Sequence, residues 1–145
     1  MDELAARRLV DRVMALWVTP IPEGPAGEAA FATCYAERLT VNGAPFTLGD
    51  LVTRARTLHG AYSGLRVEVL QVVAAPGYVV VAFVMHVRHT GTLVTPLGEV
   101  PATGREAASR TIDVLAVRDG RITDITVVAD ELGMLSQLGV LRLAA

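Results

Sequence analysis

The sequence predicts an α+β domain in which three helices precede, and pack on, a curved antiparallel sheet. Three observations carry this. Up to about residue 64 the apolar residues recur at helical spacing. From Leu65 onward they fall in β-rich runs divided by tight-turn signals. Helices first and strands afterwards is the order in which helices cover one sheet face and leave a pocket between the layers.

The first helix is expected over Glu3 to Trp17, where Leu9/Val10, Val13 and Leu16/Trp17 share one face, and Thr19-Pro20-Ile21-Pro22 ends it. After the linker Pro22–Gly27, Ala30/Phe31, Cys34/Tyr35 and Arg38 predict a second amphipathic helix, followed by a short strand at Leu39–Val41. Thr47 and Asp50 form a Thr-x-x-Asp capping signal. Leu51, Ala55, Leu58 and Tyr62 then step along one face of a third helix that Gly64 terminates. Four strands follow, at Leu65–Ala75, Tyr78–His89, Arg105–Val117 and Arg121–Ala129. Pro76-Gly77 and Asp119-Gly120 are the tight turns, and residues 91–104 form a long connection. That connection carries Leu93, Val94, Leu97 and Val100 between glycines and prolines, and reads as a lid, a dimer contact or a plain loop.

With 145 residues, 52% hydrophobic, and a net charge of −2, the chain reads as one domain, 1–145, able to bury a substantial core. Near-balanced charge, no basic cluster and 5% aromatic residues leave nucleic acid without a footprint. The single Cys34 forms no intrachain disulfide, and the N-terminal residues lack the cationic and apolar regions of a signal peptide, so cytoplasm is the expected compartment. The apolar run Leu70–Val87 is interrupted by Gln71, Pro76-Gly77 and His86, so no membrane span is expected. Phosphate loops, nucleophile elbows and zinc motifs are absent from the sequence. His86 and His89, three apart on one strand, point to opposite faces and do not make a metal site; no metal or cofactor is expected.

The stretch Gly120–Gly139, read with Pro101-Ala102-Thr103-Gly104-Arg105, resembles the closing strand and tail of the SnoaL-like polyketide cyclases, a branch of the NTF2-like superfamily. The resemblance covers most of the chain. It implies a cone-shaped NTF2-like fold enclosing an apolar pocket, pairing of two copies through the open sheet face, and a small-molecule polyketide substrate. It also implies an acid/base role for Asp130, which falls between the Gly-Arg-Ile strand start and the Gln-Leu-Gly tail, and a substrate-holding role for Asn42. The residues leave other readings open: Asp130 also fits the N-cap of a terminal helix, and Asn42-Gly43 also fits a turn. His89 begins His-Thr-Gly, similar to a strand-end His-x-Gly of the family. The family's Glu-His-Trp-like trio is replaced by Asp124-Ile125-Thr126.

The remaining candidate substrate contacts are Trp17, Tyr35, Leu51, Ala55 and Tyr62 on the helices, and His86 on the second strand. For the aromatics a plain core role is the alternative, and for the histidine a satisfied structural one. On the third strand Ile112, Val114 and Ala116 make a wholly apolar face, opposite Thr111, Asp113, Leu115 and Val117. If the apolar face lines the pocket, few proton-transfer groups are available. Within the resemblance this favours ring closure by folding of the substrate, a [4+2]-type closure similar to that of the indane-forming cyclases of indanomycin-type polyketides. The alternatives are aldol-type closure or epoxide hydrolysis or isomerisation with Asp130 as acid/base, and a non-catalytic ligand-binding module.

Overall fold

The computed structural model describes residues 1–144. Helix α1 (Glu3–Val18) is capped by Asp2, whose carboxylate accepts from the Ala5 amide, and it buries Ala6, Leu9, Val10, Val13 and Met14. A short α2 (Pro25–Phe31) is followed by strands β1 (Tyr35–Val41) and β2 (Ala44–Thr47), and then by α3 (Leu48–Ala61). The capping box at α3 is present as expected: Thr47 and Asp50 each accept from the other's backbone amide. The long strands are β3 (Tyr62–Ala75), β4 (Tyr78–His89), β7 (Glu106–Arg118) and β8 (Arg121–Ala129), with a small β5/β6 hairpin (Leu93–Thr95, Gly98–Val100) in the 91–104 connection. Helix α4 (Glu131–Gln137) ends the fold.

The main sheet has the order β2-β1-β8-β7-β4-β3 and is antiparallel except where β1 runs parallel to β8. The α+β class, the curved antiparallel-rich sheet and the helical cover are therefore as the sequence predicts; the sheet does not close into a barrel.

The second predicted helix is corrected. It stops at Phe31, and Tyr35, with Arg38, belongs to β1. The Cys34 carbonyl accepts from the Ile122 amide, so the chain leaves the helix at the point where β8 offers it a ladder. That partner lies some 88 residues away, and helical spacing in a short window cannot report it. Tyr62 is likewise the first residue of β3 and not the last of a helix. Both Asn42-Gly43 and Asp119-Gly120 adopt positive φ, which turns β1 into β2 and β7 into β8 by two-residue hairpins.

The layers are joined by a cluster containing Leu9, Val10, Val13, Phe31, Leu51, Val52, Ala55, Val79, Val81, Leu115 and Ile122. Each large apolar side chain removed from water there contributes about 1.5–3 kcal/mol. A second cluster at the other end of the sheet joins Ala61, Tyr62, Val87 and Ala107 to Met134 and Leu138 of α4, and Met85 touches both.

Candidate functional site

Strand alternation decides what faces the helices. Along β7 the buried Leu115 fixes the inner face, and Thr111, Asp113 and Val117 share it. Their partners Val81 on β4 and Val127 on β8 flank Asp113 directly. Ile112, Val114 and Ala116 consequently lie on the outer face, with Ile112 51% exposed. The apolar strand face proposed as pocket lining is therefore corrected: it looks away from the helices, and the interior receives the face that carries a carboxylate.

The inner face is sealed at Val79, Val81, Leu115 and Ile122, and sealed again at Val87 and Ala107. Between these ends Met85, Ser109, Thr111, Asp113, Val127 and Ala129 keep partial exposure around the buried Phe83. This partly open stretch is the candidate cleft. Two open surface grooves of about 450 and 420 Å³ are lined largely by polar and charged residues, Glu28, Glu37, Arg38 and Arg121 together with Tyr35 in one and Arg66, Arg88 and Glu106 in the other. Neither includes Asp113, and neither has the apolar lining of a cleft for a greasy ligand.

Asp113 is the group with the most altered chemistry. Its Oδ1 is buried, and no side chain or amide among the described residues donates to it. Burial disfavours the charged form and pushes its pKa up to about 6, from 3.8. A carboxyl group with that pKa is a proton donor and acceptor near neutrality.

Tyr35 is close enough for the Asp113 charge to act on it. Its hydroxyl is pushed well above the ordinary tyrosine value, first by burial and further by the charge of Asp113, although the Trp17 hydrogen bond partly opposes this. The Trp17 indole donates to the Tyr35 hydroxyl at 2.8 Å. Phe31 stacks on Tyr35 (centroids 5.8 Å apart, planes 23° apart) and meets Trp17 edge-on at 5.5 Å. Burial keeps the phenol neutral, and because the indole N–H can only donate to its oxygen, the phenol's own O–H is left free to donate. His59 in turn lies 2.8 Å from the Trp17 carbonyl through Nε2, which pins the end of α1.

Of the residues singled out from sequence, Trp17 and Tyr35 are thus brought together, and Leu51 and Ala55 lie fully buried in the same cluster. The others are elsewhere. Asp130 is exposed; the only hydrogen bond of its side chain among the described residues is from the Gly133 amide at 2.8 Å, the geometry of an N-cap for α4. A Cβ at Gly133 would collide with that carboxylate, so the pair is shaped for capping. The acid/base role that the resemblance implies for Asp130 would need it on the inner face; it stands instead at the surface as the N-cap of α4, the alternative that its sequence position offered. Asn42 is exposed too. Its amide accepts from the Val127 N–H at 2.9 Å and donates to the Val127 carbonyl at 3.2 Å, prolonging the β1/β8 pairing past the turn. His86 lies on the outer face, 3.4 Å from Glu68. Tyr62 packs in the second cluster, next to His89.

Sequence reasoning passed over Asp113 because strand alternation gives two faces and does not say which is inside. A signal was present: Asp113 is the one charged residue in the run Thr111–Val117. Among the described residues no three His, Cys, Asp or Glu side chains converge as a metal site would require.

The sequence profile of the SnoaL-like polyketide cyclase family matches residues 23–138. No curated protein sequence matches significantly. Solved structures that are similar include TsrD from Streptomyces laurentii, at 19% identity over 97% of this chain and 99% of that one, TM-score 0.80. A candidate polyketide cyclase from Acidithiobacillus ferrooxidans is 18% identical over 96% and 98%, TM-score 0.77. IdmH from Streptomyces antibioticus, also a candidate polyketide cyclase, is 18% identical over 93% and 99%, TM-score 0.73. At these identities the likeness is one of fold, the NTF2-like cone, and it singles out no branch of the family.

Proposed function

The chain belongs to the SnoaL-like polyketide cyclase family, and from that membership and the inner-face geometry we propose that it closes a ring in a polyketide-type intermediate by proton transfer through Asp113. The observation that carries this is the buried carboxyl of Asp113 on the inner face, without a hydrogen-bond partner among the described residues and raised in pKa. In an aldol-type closure the Asp113 carboxylate takes a proton from the carbon between two carbonyl groups. The Tyr35 hydroxyl donates to the oxygen on which the enolate charge develops, the enolate carbon bonds to a second carbonyl carbon, and the resulting alkoxide takes the proton back from Asp113. No oxidant or reductant is consumed. Apolar walls exclude water from the enolate and hold the chain folded.

The test is ring closure of a linear aromatic poly-β-ketone ester, followed chromatographically over a pH series. Asp113→Asn is expected to lower the rate by about 100-fold or more, and the wild-type rate is expected to rise with pH through an apparent pKa of about 6. Tyr35→Phe is expected to cost about tenfold or more through loss of one donor. A second reading, [4+2]-type closure by substrate folding, is favoured by the apolar side chains that flank Asp113 on the inner face, Val81, Leu115 and Val127. Under it Asp113→Asn retains most of the activity, and the pH limb is missing.

The same reading includes a homodimer. The outer face exposes Val73, Tyr78, Ile112 and Val128 at 47–68%, an apolar area that a second copy would cover.

A further inference from the structure

Two side-chain polar atoms among the described residues are buried without a hydrogen-bond partner: Asp113 Oδ1 in the site above, and Nε2 of His89. His89 is on the inner face of β4 and fully covered, with 0% exposure. Its proton is placed by its neighbours. The Thr103 amide donates to Nδ1 at 3.2 Å, and an amide N–H cannot accept, so Nδ1 offers a lone pair and the ring proton resides on Nε2. The Thr103 hydroxyl, 3.0 Å from the same Nδ1 and itself accepting from the Arg105 amide, completes the lock.

The result is an oriented N–H donor with no acceptor among the described residues. Leaving such a group unpaired costs about 1–3 kcal/mol, which an incoming acceptor would recover. Around it the Tyr62 ring lies at 5.8 Å, within the apolar cluster of Ala61, Val87, Met134 and Leu138. A neutral donor in apolar surroundings fits a neutral oxygen on an apolar body, such as a ketone, ester or ether, and disfavours a carboxylate or phosphate. Val81 pairs with Asp113, and His89 stands eight positions further along β4, about 26 Å at ideal strand rise, so this is not the Asp113 site under another name.

We propose that the buried Nε2–H of His89 is a second ligand anchor on the inner face, binding the carbonyl or ether oxygen of an apolar ligand, with α4 the element that shifts to admit it. The helix is only seven residues long. Apart from Met134 and Leu138 it is fastened by the Gln137 amide, which pairs with both backbone groups of Ala108, and by Arg105, which donates to the Gln137 carbonyl. The proposal rests on reading the inner face as a ligand cleft; it does not depend on the ring-closing chemistry.

The experiment uses the full chain and two probes, 2-acetylnaphthalene and its hydrocarbon counterpart 2-isopropenylnaphthalene. Affinities are measured by titration, and the His89 ring by nitrogen-15 NMR. The wild type is expected to bind the ketone about tenfold more tightly than the hydrocarbon, with the Hε2 resonance of His89 moving only for the ketone. His89→Phe should erase that preference and keep hydrocarbon binding, while Asp113→Asn should keep both. Equal affinities in the wild type, a preference surviving in His89→Phe, or a preference lost in Asp113→Asn alone would overturn the proposal. Should His89→Phe fail to fold, the NMR titration of the wild type decides: an unmoved His89 signal rejects it. Retained ring closure in Asp113→Asn would refute the proton-transfer mechanism and leave this result standing.

Discussion

Asp113 shows how one side chain can be costly to the fold and useful to the site. Its carboxyl titrates at about 6 in the folded protein against 3.8 when unperturbed, because burial penalises the charge. Between those values the folded chain keeps a proton that the unfolded chain has lost. This group's favourable share of the stability is therefore complete below about pH 3.8 and is lost as pH rises through about 6. A shift of this size corresponds to about 3 kcal/mol at most. Asp113→Asn removes the titration, so at neutral pH the variant is expected to be more stable than the wild type by up to that amount while losing activity. Urea unfolding of both proteins at a series of pH values measures it; equal stabilities at neutral pH would show that the carboxylate is not penalised.

At the scale of elements, the residues that carried the family resemblance turn out to form one fastening. Gln137 pairs with the Ala108 backbone along the part of β7 that extends beyond its pairing with β8, Arg105 reaches the Gln137 carbonyl, and Leu138 is buried beside Ala107. Thr103-Gly104-Arg105 and Gln137-Leu138-Gly139 are thus two halves of the dock for α4. A Cβ on Gly139 would meet the Arg105 guanidinium, and its φ of +73° is one that side chains rarely adopt. Asp130 belongs to the same unit as its N-cap. Asp130→Ala is expected to cost about 1 kcal/mol, a shift of a few degrees in thermal unfolding, and to leave ring closure unchanged at temperatures where the protein is folded. A loss of activity of 100-fold in a folded Asp130→Ala protein would return the acid/base role to that residue.

For the whole molecule, the sheet's two faces divide the work. The inner face packs on α1 and α3 and holds Asp113; the outer face exposes Ile112 and Val128 at its centre. Patches of this kind mark association surfaces. The double variant Ile112→Glu/Val128→Glu places like charges on each copy at the contact, and is expected to convert a dimer to a monomer with the secondary structure intact. Sedimentation or light scattering at micromolar concentration reads this directly, and a wild type that is monomeric there would refute the pairing.

What the sequence determined by itself is what local chemistry determines. Helical spacing set α1 and α3, Thr47 and Asp50 set the cap, and Asp119-Gly120 set the β7/β8 turn, because each depends on residues within a few positions of one another. The family resemblance was legible in the same way, through short motifs. Tertiary structure alone decided the rest. Tyr35 left its helix for a strand because β8 lay beside it, and no local pattern encodes a distant partner. The inward face of β7 was fixed only when its register with β4 and β8 put Leu115 into the core, carrying Asp113 with it and turning Ile112, Val114 and Ala116 outward. A strand's two faces are equivalent until something packs on one of them, so the same alternation that made the strand readable left the position of its carboxylate open.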